Sequence, residues 1–258
     1  MIKAFRLALF LFALPLSAAP LQPLPSATFP WCGTTPKPSL GGESRDIIKG
    51  SALGLSELTV EGVTLDQGAT LHYTAAENTE LLVIVKNGTL EAEIGAQAKT
   101  LSKGGVAYLL PGDSLVVLAA GAASSTFYLF RFTSETPADT ARGIAAGGSV
   151  LLPWDEVHYE PSERGGYRQQ LRRPTALFDT FEMHVTTMNP GLFNHEVHTH
   201  HAEELVLMIG GTVDMQLDGK TINAQEGDLM FLGADVPHGM LRNLGAEPTE
   251  YFAFQWWQ

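Results

Sequence analysis

The run HEVHTHHAEE, residues 195–204, places four histidines and three glutamates in ten positions. The chain has eight histidines and 17% charged residues in all, so this density suits a metal centre or proton transfer better than a solvated face. On a strand, residues two apart share a face, and His198 and His200 can direct their imidazoles to one point. Glu204 opens the apolar run that follows, and His238 comes after the turn-rich Gly-Ala-Asp-Val-Pro of 233–237. Three imidazoles and a carboxylate form a donor set for divalent Mn, Fe, Ni, Cu or Zn, with positions left open for water or substrate. His195, Glu196, His201 and Glu203 flank these ligands. A titratable group within reach of bound water could act as general acid or base, and His195 and Glu203 are the candidates carried forward for that role. His184 shares a strand face with Glu182 and Thr186, and its plain reading is a packed, hydrogen-bonded histidine.

The elements that must position these groups are short apolar runs bounded by turn residues. LLVIV (81–85), TLEAEI (89–94), VAYLL (106–110), SLVVL (114–118) and TFYLFRF (126–132) read as strands. A second series follows: FEMHVTTM (181–188), ELVLMIG (204–210), TVDMQL (212–217), DLMFL (228–232) and EYFAFQWW (250–257). Laying Glu80 on Glu204, Gly88-Thr89 on Gly211-Thr212, Gly105 on Gly227 and Asp113 on Asp235 gives lags of 124, 123, 122 and 122 residues. A near-constant lag predicts a duplicated all-β unit. The boundaries drawn are an extended lead-in over 20–50, a first unit over 51–135, a connector with one short helix over 136–176, and a second unit over 177–258.

The spacing of the histidines resembles the cupin superfamily. Its first motif is a glycine, HxH, three or four residues, Glu, six residues and Gly, and His198-Thr199-His200, Glu204 and Gly211 meet that spacing. Its second motif is matched by Gly227, His238 and, one position late, Asn243, with Gly233 and Asp235 replacing the usual Pro and Gly. The resemblance implies two tandem cupin domains, each a double-stranded β-helix or jelly roll. His198, His200, Glu204 and His238 would then hold one metal in the second domain. The first domain resembles the same scaffold without its ligands: only Glu80 survives there, and Val116 takes the place of His238. MHVTTMNPG (183–191) and GDLMFLGA (227–234) narrow the likeness to the bicupin ureidoglycine aminohydrolases. That family's metal is usually Mn, held by Glu-x-His, a second His and a Gln, whereas the equivalent places here carry the common cupin set. The activity implied is hydrolysis or deamination of a small ureido or amide compound, with Mn the first-choice ion and Fe, Zn, Ni or Cu as alternatives. Cupin dioxygenases, decarboxylases and sugar-acid isomerases share the ligand set and remain open, as does a non-catalytic module that captures a metal or small ligand. Pairing of cupins through strands implies a homodimer.

Charge and leader bound the rest. Of 258 residues, 28 are acidic and 16 basic, for a net charge of -12, which repels nucleic acid and anionic lipid surfaces. Lys3 and Arg6 precede an apolar run ending in small residues, so residues 1–19 are expected to be a secretory signal and the protein periplasmic or secreted, with no stable membrane anchor. Cys32 is the sole cysteine and excludes an intramolecular disulfide. Arg164, Arg168, Arg172 and Arg173 form a basic cluster that could meet the carboxylate of a small polar, anionic substrate, or serve as a solvated connector. Gly112-Asp113-Ser114-Leu115 spells a serine-hydrolase signature but falls in a turn. The C-terminal aromatics read as a buried final strand with one ring allowed on the pocket wall.

Overall fold

The computed structural model describes residues 21–257; the expected signal segment at 1–19 lies outside them. Nearly every element is a strand, as the runs predict. One seven-stranded sheet has the order Val150–Leu152, Val106–Leu109, Thr79–Asn87, Ser125–Ser134, Leu55–Leu65, Gly42–Ala52, Lys37–Ser39. The other has the order Ala27–Phe29, Leu229–Leu232, Glu203–Gly210, Thr249–Trp257, Thr180–Met188, Gly165–Arg173, Glu160–Ser162. A four-stranded sheet (Thr70–Thr74, Ser114–Ala119, Leu90–Ile94, Gln97–Leu101) completes the first unit. A three-stranded one (Lys220–Gln225, Thr212–Leu217, His238–Asn243) completes the second. The expected short helix is Thr140–Ala145. No helix of the described residues is long and apolar enough to cross a membrane.

Strand alternation sorts the side chains into three cores. Leu81, Val83 and Val85 fill the interior of the first unit, and Val206 and Met208 help fill that of the second. The opposite faces of the same strands, Leu82 and Ile84 on one and Leu205 and Leu207 on the other, meet in a core between the two large sheets. Covering both faces is why LLVIV and ELVLMIG are continuous apolar runs rather than alternating ones. Phe252, Phe254 and Trp256 also belong to this shared core, while Tyr251 and Ala253 turn inward.

The repeat begins earlier than the boundaries at 51 and 177. Strands Lys37–Ser39 and Gly42–Ala52 lie in the supposed lead-in, and Val150–Leu152, Glu160–Ser162 and Gly165–Arg173 lie in the supposed connector. These segments also cross between units. Ala27–Phe29 pairs with Leu229–Leu232 of the second unit, and Val150–Leu152 pairs with Val106–Leu109 of the first. Each crossing strand leads into a single turn that starts on tryptophan, Trp31 beneath Arg45 (4.2 Å) and Trp154 beneath Arg168 (4.6 Å). Edge strands of three residues carry little periodicity, and Lys37–Ser39 and Glu160–Ser162 each spend two of theirs on Pro and Ser, which is why they escape a search for apolar runs.

The sequence overlay of Glu80 on Glu204 is one residue out. Glu80 faces Phe132 across its ladder and Glu203 faces Trp256, and both acidic residues share the inter-unit face with Leu82 and Leu205. The counterpart of Glu80 is therefore Glu203, and a slip of one residue on a strand exchanges its two faces. Leu81 occupies the place of Glu204. His238 is likewise matched by Leu115 rather than Val116, since Leu115 faces Ile94 and His238 faces Leu217 at the ends of corresponding strands.

Candidate metal centre

His198, His200 and His238 converge, with one ligating nitrogen from each lying within 4.8 Å of the others. His200 lies in the loop ahead of strand Glu203–Gly210, and Glu204 is that strand's second residue. His238 opens the strand His238–Asn243 and exchanges backbone hydrogen bonds with His198 (2.9 and 3.0 Å), which locks the two loops together. That approach depends on Gly239. Its φ of +148° is a region that residues with a side chain rarely adopt, and a Cβ there would stand 2.7 Å from the Glu196 carbonyl oxygen.

Backbone acceptors fix the imidazole tautomers. His200 Nδ1 donates to the Ala202 carbonyl and His238 Nδ1 to that of Val236, both at 2.8 Å. The two Nε2 atoms then face each other at 3.2 Å with lone pairs turned inward, an arrangement that a cation or an added proton relieves. Glu204 Oε2 lies 3.4 Å from His200 Nε2 and 3.6 Å from His238 Nε2, and Gln255 Nε2 donates to the same oxygen at 3.1 Å. Burial pushes the Glu204 carboxyl up, but once the facing rings take up a proton the hydrogen bonds and charge of His200 and His238 outweigh it and hold the group at about 2. Desolvation and the neighbouring imidazoles lower His198, whereas the hydrogen bond with Glu204 raises His200. This preformed, anion-bearing set of imidazole lone pairs fits a divalent transition metal, with His198, His200, His238 and Glu204 as its holders.

The cluster opens onto a cavity of about 430 Å³ whose far wall includes Tyr167, His184, Thr186 and Tyr251. Of the flanking candidates, His195 reaches this space: it lines the cavity and its ring lies 4.4 Å from that of His198. Glu203 does not. It points away from Glu204, into the inter-unit core, and accepts the Leu53 backbone N–H at 2.8 Å. His201 is exposed and pairs with Asp235 at 3.1 Å, and Glu196 is exposed. The arginines are not a common patch. Arg164 alone lines the cavity, bonded to the Phe193 and Asn194 carbonyls. Arg168 sits over Trp154 and Tyr159, Arg173 caps the Ala146 and Gly148 carbonyls, and Arg172 lies 3.8 Å from Glu182. Ser114 shares a hydrogen bond with the Thr74 hydroxyl at 2.9 Å, in the first unit and outside the histidine cluster. Gln255, Tyr167 and Tyr251 went unnoticed in the sequence, although the alternation in EYFAFQWW carries the signal for two of them.

The first unit has no counterpart of this centre. Leu81 and Leu115, in the places of Glu204 and His238, belong to its apolar interior.

Residues 184–254 match the family model described as the cupin domain. The matched segment takes in His184, His198, His200, Glu204 and His238. No curated protein matches the sequence, but solved structures extend the likeness over both units. A point mutant of Bacillus subtilis oxalate decarboxylase OxdC is 15% identical, with a TM-score of 0.68 over 91% of this chain and 78% of that one. The protein Ylba from E. coli is 21% identical, with a TM-score of 0.69 over 92% and 94% of the two chains. Lactobacillus farciminis oxalate decarboxylase, in a formate complex, is 14% identical with a TM-score of 0.68 over 91% and 87%. At such identities the likeness is one of fold, and it gives the chain an architecture of two tandem cupin units.

Proposed function

We propose that the chain is an exported metal-dependent enzyme that hydrolyses or deaminates a small, polar, anionic ureido or amide compound in the cavity of its C-terminal cupin, with Mn as the first-choice ion. The observation that carries this reading is the convergence of three imidazoles and the Glu204 carboxylate on a cavity of about 430 Å³, a volume suited to a small molecule. A divalent ion held there supplies Lewis-acid polarisation of a substrate oxygen and an acidified water. The chain's own residues do the rest. Gln255 fixes the Glu204 carboxylate, and the Ala202 and Val236 carbonyls fix two ring orientations. Arg164 stands at the cavity with a guanidinium suited to a substrate carboxylate.

Decarboxylation of a small dicarboxylate is the second reading, favoured by the oxalate decarboxylases among the structural neighbours. One experiment separates the two. Protein loaded in turn with Mn, Fe and Zn is incubated with ureido acids and with oxalate and malonate, and ammonia, carbon dioxide and oxygen uptake are followed. Ammonia from a ureido acid supports hydrolysis, and carbon dioxide from a diacid replaces it with the second reading. Tight retention of a compound without turnover by any metal form would make the domain a binding module.

A further inference from the structure

The inner wall of the C-terminal cupin carries polar groups that the ligand set does not use. Register sets Glu204 opposite Gln255, and Gln255 opposite Glu182. With neighbouring strands about 4.8 Å apart, Glu182 stands roughly 10 Å across the sheet from Glu204. His184 is the next inward-facing residue, opposite Ala253, and it lines the cavity. Its ring rests against that of Tyr167, with centroids 4.9 Å apart. Nδ1 is sealed from solvent without a hydrogen-bond partner, and Glu182 Oε1 stands 3.7 Å from it. A histidine kept only for packing would have that nitrogen satisfied. At the matching place in the first unit stands Glu61, opposite Leu129, and Arg131 neutralises it at 3.0 Å. The second unit has replaced this ion pair with a ring that faces open space.

We propose that His184 is the proton-transfer residue of the cavity, oriented by Glu182 and facing a substrate that spans the distance to the metal ligands. The proposal rests on the hydrolytic reading above. Glu182 favours the N–H on Nδ1 and so leaves the Nε2 lone pair toward the cavity, a base-and-orienter pair whose spacing is long before substrate arrives. As a water oxygen bonds to the substrate's acyl carbon, its proton passes to Nε2. The same proton then passes to the departing nitrogen as the C–N bond breaks, so ammonia leaves, the ring ends neutral and no electrons are exchanged. Burial lowers the imidazole below its ordinary range against the opposing charges of Glu204 and Glu182, so the ring stands ready as an acceptor at neutral pH. Tyr167 and Gln169 flank it from the next strand, where Arg172 stands 3.8 Å from the other oxygen of Glu182.

The test uses the full chain with hydantoate, a small ureido acid, at the head of a panel of such acids. Zn-loaded protein is titrated while imidazole nitrogen resonances are followed by NMR. Mn-loaded wild type, His184→Gln and Glu182→Gln are assayed for ammonia release and metal content. The expected results are a shift of the His184 Nε2 resonance on binding, and a His184→Gln enzyme that keeps its metal and its KM but loses about 10²–10⁴-fold in kcat. Glu182→Gln should lose less and displace the acid limb of the kcat profile. A ring resonance that stays put, a His184→Gln kcat within about twofold of wild type, or loss of metal in that variant overturns the proposal. A wild type whose ring shifts but which releases no ammonia from any member of the panel overturns the hydrolytic reading and leaves His184 as a substrate contact.

Discussion

Glu203 accepts the backbone N–H of Leu53 at 2.8 Å, tying the unit with the histidine cluster to the loop between two long strands of the other unit. Its counterpart Glu80 makes the reciprocal contact, accepting the Ala176 N–H at 2.8 Å. Glu80 is further served by the Tyr108 and Thr175 hydroxyls and the Leu177 N–H. Glu203 is held by the Leu53 N–H, and burial pushes its carboxyl up to about 7 against that bond. A carboxyl raised in the folded state holds a proton there that the unfolded chain has already lost. Stability from this site is therefore greatest below about pH 4.5 and falls as pH rises to about 7. Glu203→Gln keeps the acceptor without the charge and should gain about 2 kcal/mol at pH 8 relative to wild type, after allowance for partial solvent screening, and almost nothing at pH 4.5. Urea unfolding of both proteins at the two pH values measures this; equal differences at both would show that the carboxyl is not penalised by burial.

Metal should stabilise the protein through the three histidines and Glu204. Ion at about 100 times its Kd adds about 2.7 kcal/mol to the folded state, a rise of roughly 5–10 °C in Tm for a chain of this size. Calorimetry with Mn and with Zn should show the rise in wild type and lose it in His198→Ala/His238→Ala, and elemental analysis should fall from about one equivalent to none. A rise that survives in the double variant would place the metal elsewhere.

The convergence of His198, His200 and His238 beside Glu204 was legible because its chemistry is concentrated in a few residue types at fixed spacing, and it did not require knowing the register. The face of Glu80 was not legible. A strand buried on both sides has no alternation to mark inside from outside, so Thr79–Asn87 offered no means of choosing between Glu80 and Leu81 as the match to Glu204. Glu203 was drawn to the site for the same reason, being adjacent to a ligand in sequence and opposite to it in space. The crossing strands were invisible because pairing over some 200 residues, such as Ala27 with Phe231, leaves no local signature. Arg164 was singled out as one of four arginines, and only tertiary structure separates it from the three that brace the frame.

Trp31 should prove to be the pin of the first crossing strand. Its backbone N–H donates to Asp228 Oδ1 at 2.9 Å, its ring meets Tyr128 edge-on at 5.3 Å, and Arg45 covers it. Trp31→Ala leaves a gap beside the inter-unit core and should cost roughly 2–4 kcal/mol, near the low end because the ring is only partly buried. Hydrogen exchange locates the effect: amides of Ala27–Phe29 and of Leu229–Leu232 should lose protection before those of Ser125–Ser134, which lies mid-sheet. Uniform loss over both units would mean that the strand is no separate fastening.

Gly239 offers a way to disturb the centre without touching a ligand. At φ +148° a Cβ strains the backbone and would also stand 2.7 Å from the Glu196 oxygen and 2.9 Å from the Val197 Cα, both backbone atoms in the loop that carries His198. Relief requires the loop or the His238 strand to move, and either motion breaks the paired hydrogen bonds between His198 and His238. Gly239→Ala should therefore destabilise by about 1–3 kcal/mol and weaken metal affinity by at least tenfold, with the inter-unit core and the far-UV circular dichroism unchanged. Titration with Zn against a competing chelator gives the affinity and denaturant unfolding gives the stability. Unaltered metal affinity would show that His198 follows the displaced strand, and that the bridge between the two loops is not what holds the ligands in register.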